Sequence, residues 1–277
     1  MVKVWWNAEK NIWEEKDYEG SLYLDGMLKK KLDNVNLLRK KNWDVVFMIV
    51  GMEGSGKSTL SFVCGQYLSN MGLTLNHIAA GSKDALVKLQ TLPDGSVVII
   101  DEAELLFSSR DTMTKEQRQL TKILMVIRQK RMCLILVCPS LFEISKYIAV
   151  DRSRFVLRTY TDVTLNRGYF AYWGQKKKMK LYTEGKKSNG SYAKPKADFY
   201  GRFTDYKLPF DAEYQKTKME SLLQAFEGPK KDEIKLKDKM RDVFILEFIK
   251  HNPDFTLKDY AKMFRCPDEH IKYLIYG

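Results

Sequence analysis

The segment Asp44-Val-Val-Phe-Met-Ile-Val-Gly51-Met-Glu-Gly-Ser-Gly-Lys57-Ser58 decides the fold of this chain. An apolar run ends at Gly51, four residues follow, and the segment closes with Gly-Lys-Ser, which completes the pattern G-x-x-x-x-G-K-[ST]. Glycines allow the backbone to curl, so that successive N–H groups can point at one anion. The segment therefore predicts a buried strand, a phosphate-binding loop (P-loop) and a helix, in that order.

The residue types in this loop suit a nucleoside triphosphate bound with magnesium. Lys57 can reach the β- and γ-phosphates, and the hydroxyl of Ser58 can coordinate Mg²⁺. The helix predicted to begin at Lys57 adds the positive end of its dipole. We therefore predict ATP and Mg²⁺ as cofactors. The predicted nucleotide-binding residues are Gly51, Gly54, Ser55, Gly56, Lys57, Ser58 and Thr59.

A second apolar segment ends in two acidic residues, as Val97-Val-Ile-Ile-Asp101-Glu102. Four apolar residues followed by an acid form a Walker B pattern. In this interpretation Asp101 holds Mg²⁺ through water and Glu102 polarises the attacking water, so that Glu102 and Lys57 are catalytic. The alternative is a strand that ends at a polar cap. The intact P-loop earlier in the chain favours the Walker B interpretation.

Strand-like and helix-like patterns alternate through the first 160 residues. Further strands are predicted over 77–80, 133–138 and 155–160, and a long helix over 115–130. This alternation predicts an α/β fold, a P-loop NTPase with a parallel sheet and helices on both faces. The order of the strands does not follow from the sequence.

Positive charge is concentrated just after this core. The chain carries 47 Lys and Arg against 35 Asp and Glu, and residues 151–200 alone carry 12 against 4. Such a balance predicts an acidic partner, most often nucleic acid. Residues 168–173 and 179–182 are predicted to form a β-hairpin around Gly174 to Lys178. Its lysines Lys176, Lys177 and Lys178 are predicted to contact DNA. A solvated hairpin without DNA contact remains the alternative.

The last forty residues are predicted to form a separate helical unit. Helices are expected over 257–264 and 269–275, and the spacing of Ala261, Phe264, Ile271 and Leu274 matches a helix-turn-helix. Arg265 replaces the usual glycine of the turn. The last helix would present Lys272 to DNA. A packing module without DNA contact remains the alternative.

The predicted organisation has five parts. They are an aromatic and basic N-terminal segment (1–42), an ATPase core (43–160), a basic hairpin region and helix (161–228), a linker (229–238) and the helix-turn-helix-like unit (239–277). The four cysteines have no paired spacing, which argues against a zinc site. The chain has no signal-peptide pattern and no apolar run of membrane-spanning length. We expect a cytoplasmic protein, in the host cytoplasm or the virion if it is viral.

Residues 44–160 resemble the FtsK/HerA-type P-loop ATPases, the branch that includes viral genome-packaging ATPases and Zot-like proteins. The resemblance rests on residues 51–58, on Val97 to Ala103 and on Ile127 to Ser140. It implies an ASCE, RecA-like core that assembles into a hexameric or pentameric ring. It also implies an arginine, just before the fourth core strand, that acts on the nucleotide of the neighbouring subunit. Arg128 matches that position best, with Arg131 close behind.

The sequence departs from this family at one position of the site. The family usually carries glutamine at the end of its sensor strand, whereas this chain reads Cys138-Pro139-Ser140. Ser140 could bond a water or a phosphate. The residue that acts as sensor is therefore left open.

Together these patterns predict an ATP-driven motor that translocates DNA, with double-stranded DNA expected. It would be one subunit of a viral packaging ring, and portal or capsid proteins would be its further partners. The alternative is an ATP-gated DNA-binding regulator or loader of the transposition or replication type, with slow turnover. The helix-turn-helix pattern favours that alternative. A small-molecule kinase fits less well, because the chain lacks an arginine-rich lid.

Overall fold

The structure is a computed structural model that describes residues 2–80, 82–103, 124–227, 242, 245–246, 248–250, 255–264 and 266–276. The chain divides into two compact units, Met1–Ser221 and Leu222–Gly277. The predicted linker 229–238 and the first part of the predicted helix 115–130, up to residue 123, lie outside the described residues. None of the described helices is long and apolar enough to cross a membrane.

A small antiparallel sheet and a helix begin the first unit. Asp25 caps the helix, since its carboxylate accepts hydrogen bonds from the N–H groups of Met27 and Leu28. The sequence analysis did not predict the three strands, because three to six residues are too few to display a clear alternation. The elements are β1 (Val2–Asn7), β2 (Ile12–Glu14), β3 (Leu22–Leu24) and α1 (Gly26–Lys40), with β1 in the middle of the sheet.

The central sheet of the first unit has seven strands. They are β4 (Val45–Val50), β5 (Ile78–Ala80), β6 (Val97–Asp101), β7 (Cys133–Cys138), β8 (Phe155–Tyr160), β9 (Tyr169–Gly174) and β10 (Phe199–Arg202). Their order is β10-β9-β8-β4-β7-β6-β5. The five strands from β8 to β5 are parallel, whereas β9 and β10 add to one edge as antiparallel strands. The predicted parallel α/β sheet is therefore confirmed.

Strand β4 is buried on both faces. Its six side chains are at most 1% exposed, and they alternate between two hydrophobic cores, with Met48 in one and Phe47 in the other. Because both faces of this strand are buried, every position along it is apolar, and residues 45–50 include no polar residue. Helices α1, α2 (Lys57–Leu68) and the first part of α5 (Asp211–Glu227) pack on one face. Helices α3 (Ser82–Thr91) and α4 (Gln175–Lys187) pack on the other.

The predicted β-hairpin over 168–182 is wrong in its second half. Strand β9 exists, but residues 175–187 form helix α4, and β9 pairs with β8 and β10 instead. The buried positions of α4 are spaced three, four and seven residues apart, which is the period of a helix packed on a core. They are Lys178, Leu181, Tyr182 and Gly185. Because a lysine occupies the first of them, the apolar period was hidden in the sequence.

The side chain of Lys178 is completely buried, so it is not exposed for the DNA contact that the sequence predicted. Its ammonium donates to the carbonyl oxygen of Val150 at 3.0 Å, to the Ser153 hydroxyl at 2.7 Å and to the Ser153 carbonyl. Burial lowers the pKa of Lys178 to about 7. The side chain therefore joins α4 to the turn that precedes β8.

We expect Lys178→Met to lower the free energy of unfolding by about 1–3 kcal/mol, because buried acceptors would lose their donor. Lys180→Met is the matched control on the same helix, since Lys180 is exposed. It should change the stability by less than about 0.5 kcal/mol. Urea unfolding of both variants checks this. Equal stabilities would contradict a structural role for the Lys178 ammonium.

The second unit contains the two helices expected after residue 255. They are α6 (Leu257–Phe264) and α7 (Asp268–Tyr276). The side chain of Asp259 accepts hydrogen bonds from the N–H and hydroxyl of Thr256, which fixes the start of α6. The core of this unit consists of Ile245, Tyr260, Ala261 and Ile271, with partly buried neighbours.

Candidate nucleotide-binding site

The loop of residues 51–56 connects the carboxyl end of β4 to α2, and neighbouring strands hold it in place. The N–H of Gly51 donates to the carbonyl oxygen of Pro139, which follows β7, at 3.2 Å. The buried hydroxyl of Ser55 lies 2.7 Å from the hydroxyl of Thr159 on β8. Lys57 Nζ donates to the carbonyl oxygen of Met52 at 3.0 Å, so its ammonium already lies over the loop. These contacts hold the loop in a curled conformation.

Both the backbone conformation and the close neighbours at position 51 require a glycine there. Its φ of 151° is a conformation that other residues rarely adopt. A Cβ atom at this position would lie 2.6 Å from the carbonyl oxygen of Thr159 and 2.9 Å from the Ser55 hydroxyl. Backbone atoms of the next strand cannot move away cheaply, so a side chain at Gly51 would force the loop off β8.

We expect Gly51→Ala to lower the free energy of unfolding by about 2–5 kcal/mol, from backbone strain and overpacking together. Gly95→Ala is a control that separates the two causes. Gly95 also has a positive φ, of 76°, but among the described residues, its two chain neighbours aside, no heavy atom lies within 4 Å of an added Cβ. Gly95→Ala should lower the free energy of unfolding by only about 1–2 kcal/mol. Denaturant unfolding measures both costs, and similar losses in the two variants would contradict the close contact with Thr159.

The first turn of α2 faces the loop. Gly56 occupies the N-cap position in a left-handed conformation, and within the described part of the chain no side chain caps this turn. The first N–H groups of a helix have no partner within the helix, and with its dipole they favour an anion. Ser58 and Thr59 are half-buried in this turn. All the predicted phosphate-binding residues therefore lie in one continuous cradle.

Asp101 ends β6 beside this cradle. Its side chain is buried, and Ser58 Oγ lies 3.5 Å from Asp101 Oδ2. Two such oxygens fit the shell of one Mg²⁺, which binds few protein groups and keeps water and phosphate oxygens as its other ligands. Among the described residues, no group of three or more His, Cys, Asp or Glu is placed so that it could hold a metal ion. The predicted magnesium ligands Ser58 and Asp101 are thus adjacent.

Glu102 follows Asp101 in a conformation that is uncommon for a side-chain-bearing residue. Its φ is 57°, in the left-handed region. Such conformations are costly and cluster at functional sites. The next residue, Ala103, still donates its N–H to the carbonyl oxygen of Val137 on β7 at 2.8 Å, and the side chain of Glu102 is half-buried.

Helix α5 contributes two residues that the sequence did not predict. The hydroxyl of Tyr214 donates to Asp101, and Lys218 Nζ lies 2.8 Å from Asp101 Oδ2 and 3.3 Å from Glu102 Oε1. Burial, followed by the charge of Asp101, raises the pKa of Tyr214, so its hydroxyl stays protonated. Burial acts to lower the pKa of Lys218, but the carboxylates of Asp101 and Glu102 outweigh it and raise that pKa. We call Tyr214 and Lys218 the α5 pair.

The predicted arginines lie at the opposite edge of the sheet from the P-loop. Arg131 precedes β7, which runs parallel to β4 in register, and its guanidinium donates to Asn42 Oδ1 at 2.9 Å. Six strand residues at about 3.3 Å each separate the two edges by roughly 20 Å. Arg128 is exposed three residues earlier. Neither arginine therefore lies near the P-loop of its own chain.

Ser140 has a structural contact of its own. Its hydroxyl accepts a hydrogen bond from the N–H of Phe142 at 3.2 Å and so caps the turn Leu141–Glu143. Among the predicted DNA contacts, Lys176 and Lys272 are exposed, and Lys177 forms an ion pair with Asp198 at 3.0 Å. Lys272 lies in the second unit and Lys176 in the first.

Four residues near the site were missed by sequence reasoning. Thr159 supports the loop, the α5 pair contacts the Walker B acids, and a guanidinium nitrogen of Arg167 lies 3.8 Å from the position of a Cβ on Gly54. All are more than 100 residues from the groups they approach. Short motifs encode only neighbours along the chain, so no pattern in the sequence marked them.

No protein family and no curated protein matches the sequence. Among solved structures, the N-terminal domain of zonular occludens toxin from Neisseria meningitidis is 15% identical, over 61% of this chain and 98% of that one, with a TM-score of 0.39. B204, the DNA-packaging ATPase from Sulfolobus turreted icosahedral virus, is 19% identical over 50% and 96%, with a TM-score of 0.34. The replication initiator DnaA, bound to AMPPCP and single-stranded DNA, is 13% identical over 90% and 84%, with a TM-score of 0.34. These values are too low to establish a function.

Proposed function

We propose that this chain is a Mg²⁺-dependent ATPase that translocates double-stranded DNA as one subunit of a ring, in viral genome packaging. The observation that carries the ATPase part is the P-loop cradle with Ser58 Oγ 3.5 Å from Asp101 Oδ2 and Glu102 next in the chain. This is the set of groups that phosphoryl transfer needs, because catalysis there is mostly positioning and electrostatic stabilisation.

Each residue has a defined task in hydrolysis. Lys57 and the N–H groups of the loop hold the β- and γ-phosphates, while Ser58 and Asp101 hold the ion. Bound Mg²⁺ supplies positive charge that offsets the charge developing on the phosphate oxygens. Glu102 orients a water and takes its proton as the water oxygen bonds to the γ-phosphorus. The bond from that phosphorus to the β–γ bridging oxygen breaks, which gives ADP and phosphate.

The DNA part of the proposal rests on charge. Residues 151–200 carry 12 basic against 4 acidic side chains, and Lys176 is exposed there. A surface of this kind attracts phosphate backbones without regard to sequence, as a translocating motor requires. The burial of Lys178 removes one predicted contact but leaves most of the charge in place.

One experiment tests both parts. The ATPase rate is measured with Mg²⁺, with and without double-stranded DNA, and particle mass is followed by light scattering with and without ATP. A motor is expected to show stimulation by DNA and to assemble into particles of five or six subunits. A rate that is independent of DNA, from a monomer, would contradict the motor but not the ATPase. Association with portal or capsid proteins would further support a packaging role.

The second unit favours an alternative, an ATP-gated DNA-binding regulator or loader with slow turnover. It has its own core and its last helix, α7, exposes Lys272. If α7 contacts phosphates, Lys272→Ala should make the fall of log affinity with log salt less steep. The change in slope should be about that expected for the loss of one phosphate contact. Lys258→Ala on α6, also exposed, is the matched control. Binding curves at several salt concentrations check this, and identical slopes for both variants and the unmodified chain would exclude α7 as a DNA contact.

A further inference from the structure

The Walker B acids are engaged by helix α5. Oδ2 of Asp101 accepts hydrogen bonds from Tyr214, from Lys218 and from Ser58. The ammonium of Lys218 also lies 3.3 Å from the Glu102 carboxylate, so one cation is shared by both acids. The side chain of Lys218 is about one-quarter exposed and that of Asp101 is almost fully buried. The contact is therefore part of the packed structure and not a surface ion pair.

We infer that α5 is a latch on the magnesium site, in which the α5 pair occupies the Walker B acids and is displaced when Mg²⁺ and nucleotide bind. The inference rests on the proposed function. An ammonium and a divalent cation in contact with the same carboxylate repel each other, and this repulsion is strong where solvent is largely excluded. The same ammonium lies 3.3 Å from Oε1 of Glu102, on the carboxylate that would orient the attacking water.

The latch has a consequence for affinity. Because only molecules with the latch open would bind Mg²⁺ and nucleotide, the apparent affinity equals the intrinsic affinity multiplied by the fraction of open molecules.

The test compares the Mg²⁺ requirement for nucleotide binding in full-length variants. A fluorescent non-hydrolysable ATP analogue is titrated at several MgCl₂ concentrations against the unmodified chain and Lys218→Met. Lys218→Met should lower the MgCl₂ concentration for half-maximal binding about tenfold, equivalent to about 1.4 kcal/mol. Lys216→Met is the matched control, since Lys216 is exposed on the same helix. It should leave that concentration unchanged.

Two further measurements test whether an effect of Lys218→Met comes from misfolding of that variant or from another role of Lys218. Tyr214→Phe keeps the ring that packs on Phe62 and removes only the hydroxyl, so it should shift the MgCl₂ requirement in the same direction. Hydrogen exchange over residues 211–220 of the unmodified chain should rise with Mg²⁺ and the analogue together, but not with the analogue and EDTA.

The outcomes separate the latch from the proposed function. An unchanged MgCl₂ requirement in Lys218→Met, or unchanged exchange over α5, would overturn the latch while nucleotide binding stands. Normal binding with lost hydrolysis in Lys218→Met would also overturn it, because Lys218 would then act during the reaction. If the unmodified chain did not bind the analogue at any MgCl₂ concentration, that result would contradict the proposed function and therefore also the latch.

Discussion

Glu102→Gln is expected to lower the ATP hydrolysis rate by about 10²–10⁴-fold, the usual contribution of a positioned general base. The amide is almost the same size as the carboxylate but cannot take a proton from water. ATP binding should persist, because Lys57, Ser58 and Asp101 are unchanged and the cradle of residues 51–59 does not involve Glu102. Single-turnover hydrolysis and equilibrium nucleotide binding, measured on the same preparation, test both halves of this expectation.

Glu184→Gln is the matched control for this change. Glu184 is exposed on α4, so the same chemical substitution there should leave both the rate and the binding unaffected. If Glu102→Gln hydrolysed ATP at the same rate as the control, Glu102 would not be a catalytic residue. Loss of nucleotide binding would instead show that Glu102 matters mainly for the conformation after β6, where its φ is 57°.

Arg128→Ala is expected to lower the ATPase rate of the assembled protein by about 10³–10⁵-fold, the range for removal of an arginine finger. The physical reason is the position of Arg128 near the amino end of β7, roughly 20 Å across the sheet from its own P-loop. An exposed arginine at that edge can act on ATP only if the edge meets the P-loop of a neighbouring subunit. Arg131→Ala is the comparison, because Arg131 already donates to Asn42 within its own chain.

Mixing the two inactive variants tests action between subunits directly. Arg128→Ala retains Glu102, and Glu102→Gln retains Arg128, so a mixed ring contains some interfaces with both groups. With equal amounts and random assembly, about one quarter of the interfaces would be complete, since each head-to-tail interface takes one face from each neighbour. Activity should therefore reappear on mixing. Full activity of a purified monomer, or no recovery in mixed rings, would contradict an arginine that acts between subunits.

The parts of the fold that the sequence predicted share one property. In β4, α2 and β6 the information is local: an apolar run sets burial, glycines set the loop, and acids end the strand at residues 101 and 102. The hairpin prediction failed because a buried lysine interrupted the apolar period of α4. The carbonyl groups of Val150 and Ser153 and the Ser153 hydroxyl accept hydrogen bonds from the buried ammonium, and nothing near Lys178 in the sequence indicates these acceptors.

The sequence alone determined that residues 51–56 form a glycine-rich loop between a buried strand and a helix, and that two consecutive acids stand at the end of a second strand. Those assignments depend on residue type and spacing, which determine the local backbone conformation with little influence from the rest of the chain. Only the tertiary structure decided the strand order that places Ser58 beside Asp101, the support of the loop by Thr159, and the engagement of Asp101 and Glu102 by Tyr214 and Lys218. These contacts join residues 43 to 117 positions apart. They arise from how the strands pair and where α5 packs, and both depend on the burial of the whole core.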